Sequence, residues 1–196
     1  MTKIGFFILP NNSIKQKINN LKKKINRDFG EQTYLNHPAH CSIYVINTSL
    51  TSLNKIKKIK HLTPFKNKKF NIEKTDIFFN DPITKKNTFY LKVKKNKFLV
   101  ALQKSILKFY SKYSTKRKII FKDKVMNKNY KVYGYPFIGI NWKPHFTIAS
   151  ISKKKDQTKF TKDFKKMSIK KRQILKNVYL YLIKGNKHKL LCKVKI

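Results

Sequence analysis

Hydrophobic positions change their period several times along the chain, and each change marks an element. Ile4-Gly5-Phe6-Phe7-Ile8-Leu9 is a short unbroken apolar run, the pattern of a strand buried on both faces. Pro10 ends it, and Asn11, Asn12 and Ser13 offer side-chain caps for a helix start. Ile14, Ile18, Leu21, Ile25 and Phe29 then recur at spacings of four, three, four and four, which makes the apolar stripe of an amphipathic helix with lysines on its outer face. Pro38 to Asn47 reads as a second strand, carrying His40-Cys41-Ser42-Ile43-Tyr44-Val45-Ile46. Leu53, Ile56 and Ile59 predict a short basic helix that stops before Pro64.

Residues 65–80 read as one or two strands closed by a turn at Asn80-Asp81-Pro82. Over Thr88 to Val93 the alternation puts Phe89, Leu91 and Val93 on one face. Phe98, Leu102, Ile106, Phe109 and Tyr113 mark a second amphipathic helix of about four turns. Strand-like pieces follow at 118–122 and 130–135 around a Lys/Asn turn. His145 to Ile151 is a further strand, and Phe160, Phe164 and Met167 predict a helix near 156–167. The chain closes with a hairpin, Val178 to Ile183 and Leu190 to Ile196, turning at Gly185-Asn186. This order predicts an α+β protein with mixed or antiparallel sheets. Nothing separates two compositions, so residues 1–196 are expected to form one domain.

Composition changes this picture mainly through charge. Forty-eight basic residues against eight acidic ones give a formal net charge of +40. Such a charge attracts polyanions, RNA first among them. Only Arg27, Arg117 and Arg172 are arginine, however, and lysine, asparagine and isoleucine share AT-rich codons, so base composition is a second source of the charge. At 40% hydrophobic and 13% aromatic residues the chain can still bury a core. Its two cysteines give no disulfide framework, and a reducing cytoplasm is expected. The opening apolar run is too short for a secretory leader or a membrane span, so no membrane association is expected.

Candidate chemistry comes from a pattern that occurs twice, His40-Cys41-Ser42-Ile43 and His145-Phe146-Thr147-Ile148. Each heads a strand, and each has a proline just before it (Pro38, Pro144). Strand positions i and i+2 share a face, so each strand presents an imidazole and a hydroxyl together, backed by apolar neighbours. Two such strands side by side would suit in-line displacement at phosphorus: one neutral histidine accepts a proton from the attacking oxygen, and the other, protonated, donates to the leaving oxygen. The hydroxyls of Ser42 and Thr147 can hydrogen-bond the non-bridging phosphate oxygens. His61-Leu62-Thr63-Pro64 is a near-miss at the end of a predicted helix, while His37 and His188 fail the pattern.

This doubled H-x-[ST]-h motif, about a hundred residues apart, resembles the two-histidine (2H) phosphoesterases, which include LigT-like 2′-5′ RNA ligases and cyclic nucleotide phosphodiesterases. Pro144-His145-Phe146-Thr147-Ile148-Ala149 is very close to the family form, and Pro38-Ala39-His40-Cys41-Ser42-Ile43 is a looser match. The resemblance implies a bilobal, pseudo-twofold fold with a central groove and outer helices, and no metal or other cofactor. It implies opening of 2′,3′-cyclic phosphates to 2′-phosphates, or making and breaking of 2′-5′ links, on RNA or nucleotide partners. His40 and His145 are carried over as catalytic, and Ser42 and Thr147 as phosphate-binding. Ser150 stands where some relatives have arginine.

Further groove contacts are expected from Tyr44, which follows Ser42 on the same predicted face, from Tyr135 and from Lys143. His37 is expected in a loop. No paired carboxylates, zinc spacing, P-loop or dinucleotide fingerprint is present. A monomer is expected. The rival reading is a basic RNA-binding protein without catalysis, for which affinity would fall steeply with salt.

Overall fold

A computed structural model of the protein describes residues 1–59, 61–62, 64–66, 68–152 and 157–196. Thr63 of the near-miss motif and residue 156 at the start of a predicted helix lie outside the described residues. The described residues form two four-stranded antiparallel sheets. One runs in the order β2 (Cys41–Thr48), β1 (Thr2–Ile8), β7 (Asn177–Lys184), β8 (Lys187–Lys195). The other runs β5 (His145–Ile151), β4 (Asn87–Val93), β3 (Lys69–Phe78), β6 (Lys171–Ile174). The described helices are α1 (Asn12–Phe29), α2 (Leu50–Lys58), α3 (Lys97–Tyr110), α4 (Lys124–Tyr133) and α5 (Gln157–Lys166).

The two motif strands hold equivalent places. Each is the edge strand of its sheet, antiparallel to the strand that precedes its helical connection: β1-α1-β2 in one sheet, β4-α3-α4-β5 in the other. An edge strand leaves main-chain donors and acceptors unpaired, and here segments from across the molecule satisfy some of them. After α1, Thr33 O accepts from Ser150 N of β5 at 2.9 Å. After α3, Thr115 N donates to Asn47 O of β2 at 2.8 Å, and Thr48 Oγ1 donates to Tyr113 O. Helix α1 itself packs on β5, α3 on β2 and β3, and α5 on β3. The core therefore joins both sheets: Ile4, Phe6 and Ile8 of β1, the α1 stripe, and Phe89, Leu91, Phe146 and Ile148 of the second sheet form one buried cluster.

The predicted elements recur with four corrections. Residues 130–135 do not form a strand. Lys124–Tyr133 is helical, capped by Asp123 Oδ1, which accepts from Met126 N, and ended by Gly134 in the left-handed conformation. Residues 118–122 form no strand either. Strand β6 was hidden because its four residues, Lys171-Arg172-Gln173-Ile174, bury only Gln173. On α1 the lysines are not all outward: Lys22 is buried, and its ammonium donates to the carbonyls of Tyr34, Leu35 and His37. It clamps the segment that leads into β2.

Candidate active site

His40 stands one residue before β2, and His145 is the first residue of β5. Cys41 and Ile43, and Phe146 and Ile148, are fully buried, so the histidines and the hydroxyls of Ser42 and Thr147 lie on the opposite, partly exposed side. A β-bulge interrupts both strands at the same motif position. Tyr44 pairs with Phe6 and Ser42 with Phe7, leaving Ile43 without a partner. Ala149 pairs with Phe89 and Thr147 with Tyr90, leaving Ile148 without one. A bulge adds a residue and re-aims what lies beyond it. The inward parity accordingly flips, so that Ile43 and Tyr44 are both buried, as are Ile148 and Ala149. This overturns the expectation for Tyr44. It is fully buried, its ring lies 6.0 Å from that of Phe6, and its hydroxyl donates to Tyr133 O.

Several contacts bring the two motifs together. The buried Cys41 thiol takes a hydrogen bond from the His145 main chain; burial nonetheless pushes this thiol up to about 12. Trp142 Nε1 donates to Ser42 O at 3.0 Å. Gln103, buried on α3, donates from Nε2 to the carbonyl of the bulged Ile43 at 3.0 Å and to Phe137 O, and its Oε1 accepts from Gly139 N. One amide thus ties the first bulge to the loop that delivers the second motif. Among the described residues no hydrogen bond uses the Ser42 or Thr147 hydroxyl.

Both imidazoles are tethered alike. His40 Nδ1 bonds Pro38 O at 2.7 Å, and His145 Nδ1 bonds Lys143 O at 2.6 Å, each to the carbonyl two residues upstream. A carbonyl only accepts, so Nδ1 carries the hydrogen and Nε2 is the exchangeable position in both rings. Their surroundings differ. His40 stacks on Phe7 with ring centroids 4.0 Å apart and lies 5.3 Å from His188. Burial holds it far below the usual histidine range, at about 3; the Pro38 bond opposes this, and the charges of His188, His37 and Lys22 add to it. His145 sits edge-on to Phe78 and Tyr90, at 5.1 and 5.0 Å. Burial lowers it too, while the Lys143 bond and the Asp81 carboxylate favour its charged form.

The stack on Phe7 depends on Gly5. A Cβ at Gly5 would stand 2.4 Å from Phe7 Cζ, so the ring lies flat over the strand only because residue 5 has no side chain. Lys143 serves through its carbonyl, and its exposed ammonium sits 6.0 Å over the Phe78 ring. Tyr135 is half-buried, edge-on to Tyr44 at 5.7 Å, and close enough to Cys41 for their charges to interact. Ser150 is buried, sharing a hydrogen bond with Thr88, which also donates to Asp81. His37 lies in the segment before β2, as expected for a loop residue, 4.7 Å from the His188 ring. Sequence reading missed Phe7, Gly5, Gln103, Asp81 and His188. Of these only Gly5 and Phe7 carried a signal, since they fall on one face of the first strand.

No protein-family model and no curated protein matches the chain. Solved structures do. TT0787 of Thermus thermophilus is 11% identical over 98% of this chain and 97% of its own, with a TM-score of 0.60. E. coli LigT complexed with 3′-AMP is 9% identical over 99% and 95%, at 0.55. A structure described as a phosphoesterase is 9% identical over 100% and 98%, also at 0.55. Across its full length the chain therefore has the fold these proteins share.

Proposed function

With the two-histidine phosphoesterase fold as premise, we propose that this chain is a metal-independent phosphoesterase acting on RNA-type phosphodiesters. It is read as one domain of two lobes, working as a monomer, with His40 and His145 as its acid–base pair. The observation that carries the reading is the duplicated constellation: histidine, buried residue, hydroxyl, bulge, with each imidazole tethered through Nδ1 two residues upstream. The nucleotide in the LigT structure supports a nucleotide-type ligand.

The charges around the two rings support distinct roles, because opposed environments separate acid from base: cations surround His40, and a carboxylate acts on His145. His40, stacked on Phe7 and surrounded by His188, His37 and Lys22, is held neutral and is the base: its Nε2 takes a proton from water attacking the phosphorus of a 2′,3′-cyclic phosphate. His145, whose charged form the Asp81 carboxylate favours, is the acid: its Nε2–H donates to the departing 3′-oxygen. One P–O bond forms, the P–O3′ bond breaks, and a 2′-phosphate leaves. Ser42 and Thr147 donate to the non-bridging oxygens, where charge accumulates. Making or cleaving a 2′-5′ link uses the same groups with a ribose hydroxyl in place of water.

Incubation with adenosine 2′,3′-cyclic phosphate in excess EDTA is expected to yield adenosine 2′-phosphate, identified by chromatography. If the cyclic phosphate and a 2′-5′-linked dinucleotide both persist at every pH tried, the assignment is wrong. Gly5→Ala supplies a finer check. The added methyl must displace the Phe7 ring under His40, so turnover is expected to fall by about tenfold or more, as small misplacements of catalytic groups do. The melting temperature, read in parallel, is expected to fall by several degrees, since overpacking a buried site costs about 1–3 kcal/mol, while the protein stays folded at the assay temperature.

A further inference from the structure

Next to His40 the same face of the first sheet carries two imidazoles that this reaction leaves unused. His188 lies on β8, and His37 in the segment before β2, 4.7 Å from it between ring centroids. Asn186, in the β7–β8 turn, grips both. Its Oδ1 accepts from His37 Nε2 at 3.1 Å, and its carbonyl lies 3.4 Å from His188 Nδ1. That leaves His37 Nδ1 and His188 Nε2 to gain a proton or meet a ligand. The rings rest on aromatic neighbours, Tyr34 for His37 and Phe7 and Tyr181 for His188.

The register places Lys3 of β1 opposite Ile183 of β7, and Ile183 opposite His188, so Lys3 and His188 share one cross-strand row. The titratable groups facing the pair are then Lys3 on β1, Lys22 on α1, Tyr34 and His40 in and after the preceding loop, and Tyr181 on β7. Asp81, the carboxylate felt nearby, acts on Tyr34 and His145 but not on His37 or His188. Among the described residues no group of His, Cys, Asp and Glu is disposed to hold a metal ion. An assembly of imidazoles and ammoniums with no counter-charge is short of an anion.

We infer that His37 and His188 form a second phosphate subsite beside the reaction centre, taking a phosphate of the substrate other than the one under attack. The inference rests on the phosphoesterase reading, since it places the second phosphate on the same ligand. Without an anion, burial keeps both rings below the usual histidine range, the charges of Lys22 and Lys3 add to this, and His37 acts in the same direction on His188. A phosphate arriving there stabilises the protonated rings, so binding draws in protons. The subsite is charged by its ligand, and a nucleotide or RNA end with an additional phosphate is selected over one without.

Calorimetry with adenosine 3′-phosphate and adenosine 3′,5′-bisphosphate tests this apart from turnover. The bisphosphate is expected to bind about tenfold more tightly or better near pH 6, the worth of one or two charge-assisted hydrogen bonds. It should carry net proton uptake, read from buffers of different ionisation enthalpy, and lose most of its advantage by about pH 8. In the His37→Gln/His188→Gln double variant the preference and the proton uptake should both vanish. A preference that survives this variant, or equal affinity for the two ligands in the wild type, overturns the subsite. Failure of the phosphoesterase reading would appear elsewhere, as intact cyclic phosphate in the turnover assay.

Discussion

Replacing either His40 or His145 by alanine is expected to lower turnover of a 2′,3′-cyclic phosphate by about 10²–10⁴-fold, the usual worth of one acid–base group. The fold should survive, because both rings stand at the partly exposed starts of their strands while Cys41, Ile43, Phe146 and Ile148 hold the core. His40→Ala also uncovers the face of Phe7, so His40→Gln is the better-matched companion variant. Groups that act as a pair are not additive, and the double variant should be little worse than either single one. Circular dichroism and the melting temperature check the fold, and initial rates check the chemistry. Near-normal rates in either variant would falsify the pairing. Tight, salt-sensitive RNA binding with no turnover in the wild type would favour the non-catalytic basic protein instead.

The second large effect is a loss of stability in acid. His37, His40, His145 and His188 are all held below the ordinary histidine range, with burial the first cause at each. An unfolded histidine takes up its proton near pH 6.5, whereas folded His40 does so only at about 3. Between those values the unfolded chain binds more protons, so stability falls as pH falls through that window. His40 alone contributes about 1.4 kcal/mol per pH unit at most, and the other three act in the same direction. Lys22 extends the trend upward: burial lowers it from 10.5 to about 8, so stability rises with pH between those two values. Urea midpoints measured from about pH 7.5 down to about pH 4.5 should fall steadily, and less steeply in His40→Gln. A flat profile, or an unchanged slope in the variant, would contradict the burial described for these rings.

Much of the architecture was legible in the sequence because the signals are local. The α1 stripe at spacings of four, three, four and four is buried as read, and Asn11, one of the caps foreseen, does cap the helix. β4 and the closing hairpin also form where read, while α3 ends at Tyr110 and buries Leu99, Leu102, Ile106, Leu107 and Tyr110, leaving Phe98, Phe109 and Tyr113 of the expected stripe only partly buried. Helix α4 was misread although its stops were present. Asp123 and Gly134 bracket it, but only Tyr130 within it is buried, so no apolar stripe announced it. Tyr44 failed for a different reason: period-two alternation assumes an unbroken ladder, and the bulge at Ile43 breaks it.

By itself the sequence determined most of the elements, the α+β class and the two histidine-hydroxyl pairs, because hydrophobic period and strand parity are properties of neighbouring residues. Only the tertiary structure decided that Tyr44 turns inward, that Gly5 lets Phe7 carry His40, and that His188 comes to within 5.3 Å of a ring 148 positions earlier in the chain. Bulges, register and ring contacts depend on which distant strand a residue meets, and burial sets the proton affinity of each imidazole only after those strands have closed around it.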